Sequence, residues 1–305
     1  MNLDLSVIIL NWNARNYLEK SLTSLVCAAQ DLEFEVLVVD NASEDDSVGM
    51  VREKFPTVTV IANRENKGFG AGNNLAVPQT SGRYILFLNP DTVVMEGALA
   101  ALVAYADANP DIGILGPKLL NGDGSLQYSC RRFPNLATGF FRNTPLGRLL
   151  PKNRFASDYL MQEFDHAAPL DVDWVSGAAL MMRRELIEQI GAFDDDFFMY
   201  CEDVDVCWRA HQAKMPNGTN WRVTYFPDSV IYHLIGKSSD LVPTRMTYEF
   251  HRSQYLFYKK HYASTTPFFL RLLIPIGIWL RAAGQLFRYR LLYWKKRFRG
   301  EIRKR

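Results

Sequence analysis

Residues 5–40 read LSVIILNWNARNYLEKSLTSLVCAAQDLEFEVLVVD. Leu5–Leu10 is an unbroken apolar run and reads as a strand. Apolar residues at helical spacing follow from about Ala14 to Ala28, and Glu35–Asp40 closes the stretch as a second strand. The alternation continues with a helix over Asp45–Lys54, a strand over Thr57–Ala62, a Gly-rich turn, a short helix near Ala71–Val77 and a strand over Tyr84–Asn89. These strands are Val-, Ile- and Leu-rich on both faces, the pattern of a parallel sheet covered on both sides. The expected class is therefore α/β, with a mostly parallel, doubly wound sheet. Ligands of such sheets gather beyond the carboxyl ends of the strands. Asn11-Trp12-Asn13, Asp40-Asn41 and Asn89-Pro90-Asp91 all fall at such ends.

Beyond the first half the pattern loosens. Asn121–Leu170, rich in Arg, Asn, Pro and Phe, reads as a long loop or lid. Ala178–Met182 is an apolar strand leading into a helix, Val223–Tyr232 a late strand and His233–Ser239 a loop. After Tyr248 the chain reads as helical. Residues 1–240 are thus expected to form a catalytic unit, with a ligand-binding half over about 1–120 and a lid region over about 121–240. Residues 241–305 form a separate helical, basic segment. The 305 residues carry a formal net charge of +2, which conceals an asymmetry. From Arg281 to Arg305 ten Lys and Arg face one Glu, a net +9 that leaves −7 on the rest. A basic tail on an acidic body implies a local anionic partner such as a membrane surface. A nucleic acid would satisfy the same charge, but the body carries no nucleic-acid recognition motif. The four cysteines form no C-x-x-C pair and show no zinc spacing, so reduced, buried thiols are expected. MNLDLSVIIL has no basic n-region and reads directly as a strand, which points to the cytosol.

Several short motifs carry chemistry. Asp40 can hydrogen-bond the base or ribose of a nucleotide, or with Ser43 it can simply cap the next helix. NKGFGAGNN (66–74) is a Gly-rich turn into a helix, suited to an anion through close backbone approach and free N–H groups, or serving only as a tight turn. Its spacing is neither a dinucleotide fingerprint nor a P-loop. Asn89-Pro90-Asp91 offers hard oxygen ligands for Mg²⁺ or Mn²⁺ bridging a diphosphate. GAFDDDFFMYCEDVDVCWR (191–209) sets Glu202, Asp203 and Asp205 among aromatic and aliphatic neighbours. Ionised carboxylates are costly to bury, so proton chemistry is one explanation and an acidic first helical turn the other. A helix starting near Tyr200 would project Asp203 to one side, with Glu202 and Asp205 nearly opposite. His233, after the late strand, could complete a metal shell with Asp91, and Gly236, Lys237 and Ser238 could wrap a phosphate behind it.

SVIILNWN, VLVVDNASEDDS, NKGFGAGNN, YILFLNPDTVV, WVSGAALMMRRE and GAFDDDFFMYCEDVDVCWR occur in this order. The set resembles the family 2 inverting glycosyltransferases of GT-A fold, especially the bacterial rhamnosyltransferase-like branch, over roughly residues 5–240. The resemblance implies a nucleotide-sugar donor held by Asn11, Asn13, Asp40, Asn41, Lys67, Gly68, Asn73, Asn89, Trp174 and Gly177. It implies a divalent ion, Mg²⁺ or Mn²⁺, on Asp91 with His233. It makes Asp203 the base that deprotonates the acceptor hydroxyl, with Glu202 beside it. Asn89 stands where the family's D-x-D motif has its first Asp, which removes one charge from the metal site. No Q-x-x-R-W follows the E-D pair, against a processive polymerase.

The resulting expectation is an inverting transferase moving L-rhamnose from dTDP-rhamnose to a hydroxyl of a lipid-linked or growing cell-surface glycan. UDP-galactofuranose and UDP-hexoses are rival donors, and a non-catalytic nucleotide-sugar-binding scaffold is the alternative of another class. A homo-oligomer is compatible with this reading. Residues Phe268–Trp294 mix apolar residues with Arg271, Arg281, Arg288 and Arg290, and Pro275 interrupts the apolar run Leu272–Leu280. A basic amphipathic segment lying on the cytoplasmic face of the membrane is expected, rather than a spanning helix.

Overall fold

The computed structural model describes residues 3–28, 32–135, 154–234 and 243–298. Strand β1 (Leu5–Asn11) leads through α1 (Arg15–Ala28) to β2 (Phe34–Asp40), α2 (Ser47–Lys54), β3 (Thr59–Ala62) and α3 (Phe69–Asn74). Then come β4 (Tyr84–Leu88), β5 (Thr92–Val94), α4 (Ala98–Ala108), β6 (Ile112–Leu120), β7 (Leu126–Gln127) and β8 (Cys130–Arg131). After α5 (Arg154–Leu160) follow β9 (Leu170–Asp171), β10 (Trp174–Val175), β11 (Ala179–Arg183), α6 (Arg184–Ile190), α7 (Glu202–Gln212) and β12 (Arg222–His233). Two helices close the chain, α8 (Pro243–Phe257) and α9 (Phe268–Phe298), with a π-helical turn over Tyr258–Tyr262 after α8.

The main sheet runs β3-β2-β1-β4-β11-β6-β12-β5. The neighbours among β3, β2, β1 and β4 are parallel, as are β6 and β12. Strand β11 is antiparallel to both β4 and β6, and β5 is antiparallel to β12. Side chains alternate across each strand, so Leu5, Val7 and Ile9 of β1 enter one core while Ile8 and Leu10 enter the other. Both cores are closed to solvent, which is why the strand reads as continuous hydrophobic sequence. Helix α1 seals one face with Leu18, Leu22 and Leu25 at helical spacing.

The order of the strands matters for chemistry because it gathers several ends. The carboxyl ends of β1, β2 and β4 lie side by side, and β11 runs the other way, so its amino end joins them. The Asn89 N–H donates to Ala178 O at 2.9 Å. The cysteines are all unpaired; Cys130 and Cys207 are buried as expected, whereas Cys27 is exposed. The expected lid over Asn121–Leu170 contains β7, β8 and α5, and its middle lies outside the described residues.

The tail is more regular than its sequence implies. Pro275 does not interrupt α9; it deletes one intrahelical hydrogen bond, and the helix continues through it for 31 residues in all. Over Phe268–Leu291, 24 residues holding an 18-residue stretch of mean hydropathy 1.3, it is long and apolar enough to cross a bilayer by length and composition. One face, with Ile278, Ala282 and Leu286, turns inward, and Trp279 meets Tyr248 of α8 at 5.6 Å between ring centroids. The other face leaves Phe268, Leu272, Leu273, Ile276 and Leu280 exposed. Helix α8 is tied to the body in turn. Ser253 Oγ donates to Met199 O at 2.8 Å and Arg252 Nη1 to Asp196 O at 3.1 Å.

Candidate active site

The gathered strand ends open onto a cavity of about 420 Å³. Its wall takes Asn41 from the end of β2, Gly68 and Phe69 from the Gly-rich turn, Asn89 and Asp91 from the end of β4, and Gly177 from the start of β11. Glu202 and Asp203 enter from α7, His233 from β12 and Arg245 and Met246 from α8.

The other proposed nucleotide-sugar contacts are not in this wall. Asn11 is buried and donates through Nδ2 to Asp40 Oδ1 at 2.9 Å and Ser43 Oγ at 3.1 Å. Asp40 Oδ2 accepts the Ser43 N–H at 2.9 Å, so its carboxylate stitches the turn after β2. Asn13 adopts φ 51°, and its Oδ1 accepts the Glu44 N–H at 2.8 Å. Lys67 pairs with Glu65 at 3.3 Å, and buried Asn73 donates to Phe69 O at 3.0 Å. Trp174 is buried, donates to Arg132 O at 2.9 Å and carries the Arg131 guanidinium over its ring at 5.0 Å. Asn11, Asn13 and Asp40 thereby tie the loops after β1 and β2 to one another. Asn41 does both jobs: it lines the cavity and donates through Nδ2 to Gly68 O at 2.9 Å.

Gly68 is required by its backbone. Its φ is +87°, and a Cβ there would lie 2.3 Å from Phe198 O. The Phe69 N–H donates to that same carbonyl at 2.7 Å, so the Gly-rich turn and the segment preceding α7 are locked together.

The acidic segment is shaped by two left-handed residues, Tyr200 at φ 70° and Cys201 at φ 65°. They delay the helix to Glu202, two residues later than the sequence implies, and turn its first residues inward. Glu202 therefore faces the same cavity as Asp203, not the opposite side. Asp205 points away from the cavity, buried between Arg209 Nε and His261 Nε2, each at 2.7 Å. Asp203 Oδ2 accepts the Gly177 N–H at 3.0 Å and Oδ1 accepts the Val204 N–H at 2.9 Å. A Cβ on Gly177 would sit 3.3 Å from Asp203 Cβ, so the glycine permits this approach. Burial raises the Asp203 pKa, while those two N–H groups and the nearby Arg131 pull it down. Glu202 is 6% exposed, and its Oε2 has no hydrogen-bond partner among the described residues. Burial, then the adjacent Asp203 charge, pushes its pKa well above the carboxylate range. The pair shares one negative charge more readily than two.

At the other acidic position His233 Nε2 lies 3.3 Å from Asp91 Oδ1 and 3.4 Å from Asn89 Nδ2. His233 Nδ1 is 2.7 Å from Gln127 Oε1, an acceptor for a proton on Nδ1; with the proton there, Nε2 can serve as a metal ligand. A carboxylate and an imidazole nitrogen thus converge, a donor set that fits a divalent ion. Among the described residues no three His, Cys, Asp or Glu cluster as metal ligands, so further oxygens would have to come from substrate and water. Gly236, Lys237 and Ser238 lie outside the described residues.

Phe198, Met199, Tyr200, Arg245 and Met246 are wall residues that sequence reasoning missed. The first three adjoin the E-D pair and were open to being found by proximity. Arg245 and Met246 belong to no motif.

The chain resembles known proteins over most of its length. It is 29% identical over 264 residues to the N-acetylglucosaminyl-diphospho-decaprenol L-rhamnosyltransferase of Mycobacterium tuberculosis, covering 83% of each chain. It is 28% identical to rhamnosyltransferase WbbL of Escherichia coli, covering 68% of this chain and 76% of that one. In structure it matches the mannosyltransferase PcManGT of Pyrobaculum calidifontis, solved with GDP-Man and Mn²⁺, at TM-score 0.54 and 20% identity. That match covers 83% of this chain and 63% of the other. Staphylococcus aureus TarS 1–349 with UDP gives TM-score 0.52 at 20% identity, over 82% of this chain and 64% of that one. These structural likenesses carry the GT-A fold. Residues 6–191 match the family described as "Glycosyl transferase family 2", more than half of the sequence, and the chain belongs to that family.

Proposed function

We propose that the protein is an inverting, metal-assisted rhamnosyltransferase, moving L-rhamnose from dTDP-rhamnose to a hydroxyl of a lipid-linked glycan. The names of its relatives support the sugar and the class of acceptor. One observation carries the mechanism: a carboxylate oriented by two backbone N–H groups shares a cavity with the Asp91–His233 pair. Asp203 takes the proton of the acceptor hydroxyl as that oxygen attacks the anomeric carbon from the face opposite the departing diphosphate. Glu202, whose pKa burial raises, would spare the base a second adjacent negative charge when protonated. The Gly68 turn brings backbone close to the donor, and Asn41 fixes that turn. Asp91 and His233 would hold the Mg²⁺ or Mn²⁺ ion, whose chemistry is to offset charge on the leaving diphosphate. No covalent intermediate is needed.

Calorimetric titration with dTDP-rhamnose, UDP-galactose, UDP-glucose and GDP-mannose, each with and without Mn²⁺, tests this reading. Selective, metal-dependent binding of dTDP-rhamnose is expected; selective binding of another sugar nucleotide would overturn the donor assignment. In the same assay Asp91→Ala should cut the Mn²⁺-dependent part of donor affinity by ~10-fold or more, since even outer partners of metal ligands commonly cost that much. An unaltered metal response would remove Asp91 as a ligand.

Helix α9 supports a peripheral place on the cytoplasmic membrane face, its exposed apolar side in the interface and its basic end against anionic head groups. Leu273→Glu with Leu280→Glu, both exposed and so harmless to folding, should release the protein from anionic vesicles. Two withdrawn leucines account for about 3 kcal/mol, on the order of 10²-fold in partitioning. Undiminished co-sedimentation would refute α9 as the contact.

A further inference from the structure

The cavity wall carries three carboxylic side chains, Asp91, Glu202 and Asp203, and a nucleotide-sugar donor would add a diphosphate to them. Among the described wall residues the single Lys or Arg is Arg245, in the first turn of α8. Five arginines elsewhere are committed to structure. Arg83 bonds Asp4 and Asp107, Arg209 bonds Asp205, and Arg222 bonds Asp111 and Asp171. Arg183 and Arg184 donate to backbone carbonyls. Arg245 forms no ion pair with a described carboxylate. Its guanidinium carbon lies 4.6 Å from the centroid of the Phe198 ring. The backbone of Phe198 is itself fixed, because its carbonyl accepts the Phe69 N–H at 2.7 Å and abuts Gly68.

A guanidinium held through its face by an aromatic ring keeps its in-plane N–H donors for a ligand. The planar fork of donors matches phosphate oxygens in a bidentate manner. We propose that Arg245 is a substrate-binding residue that grips a diphosphate group in this cavity. The inference rests on the glycosyltransferase reading above and adds a residue to it. Two substrates of that reading carry the chemistry: the nucleoside diphosphate of the donor, and the diphosphate that links an acceptor sugar to its lipid.

Arg245→Gln keeps polarity on a shorter side chain while removing the charge and the fork; Arg245→Lys keeps the charge without the fork. Arg245 is exposed, so both variants should unfold at the wild-type midpoint. In the full-length protein, dTDP and thymidine are titrated by calorimetry. KM is measured for a lipid-diphosphate sugar acceptor and for the same sugar on a phosphate-free alkyl chain. If the grip is on the donor, Arg245→Gln weakens dTDP by on the order of 10- to 100-fold and leaves thymidine unchanged. If it is on the acceptor, KM rises by a similar factor for the diphosphate acceptor only, with dTDP binding intact. Arg245→Lys should fall between wild type and Arg245→Gln in whichever arm responds. Wild-type behaviour of Arg245→Gln in both arms overturns the proposal while leaving the transferase reading in place. Failure of the wild-type protein to bind dTDP and to turn over either acceptor overturns both.

Discussion

Replacing Asp203 with Asn should reduce transfer by ~10²–10⁴-fold, the usual contribution of a positioned base. Donor binding should survive. The amide keeps the size of the side chain and one acceptor oxygen, whereas the proton-accepting charge is gone. The loss should therefore appear in kcat and in kcat/KM together, with the donor dissociation constant little changed. The pH profile supplies a second check. Asp203 and Glu202 both have pKa values raised by burial. A base works only when deprotonated, so wild-type kcat/KM should climb with pH through this raised range before levelling off. The residual activity of Asp203→Asn should lack that rise. Full turnover, or an unaltered acid limb, would remove Asp203 as the base.

Asp205→Ala should destabilise the fold by about 3 kcal/mol, the lower end of the range for removing one partner of a buried ion pair. The lower end applies because Arg209, at 24% side-chain exposure, still reaches water and keeps its bonds to Ile190 O and Ala192 O. His261 loses its partner outright. That contact joins the helix bearing Asp203 to the π-helical turn after α8, so activity should fall along with stability. Urea unfolding with an unchanged midpoint would show that the buried carboxylate is not a structural tie.

The regular part of the fold was open to reading because both cores are built on strict alternation along strands such as β1 and β4. The direction of β11 was not. A central strand buried on both faces has the same apolar sequence whichever way it runs. Strand ends were legible as positions, and Asn41, Asn89 and Asp91 were rightly drawn from them, yet which neighbours turn away from the cavity was not, since turn geometry decides it. Asp40 and Asn11 bond each other and Ser43 behind the wall, while Asn41 next door enters it. The orientation of Glu202 escaped for a related reason, because two left-handed residues before α7 cannot be read from Tyr and Cys. The meeting of His233 with Asp91 was expected from the sequence, and the pairing of β12 with β5 is what makes it. Arg245 lies in a helix whose sequence carries no motif at all.

Helix α8 touches three things in quick succession: the cavity at Arg245 and Met246, the tail helix at Tyr248 and the body at Ser253. Only about 4.5 Å of helix rise separates Arg245 from Tyr248. If α9 lies in the head-group layer as proposed, α8 would act as a short rigid spacer setting the height of the reaction above the bilayer. In that placement a hydroxyl near the lipid anchor would be reached more readily than the far end of a long chain. Acceptor length would then be chosen by how the protein is moored as well as by the shape of its pocket.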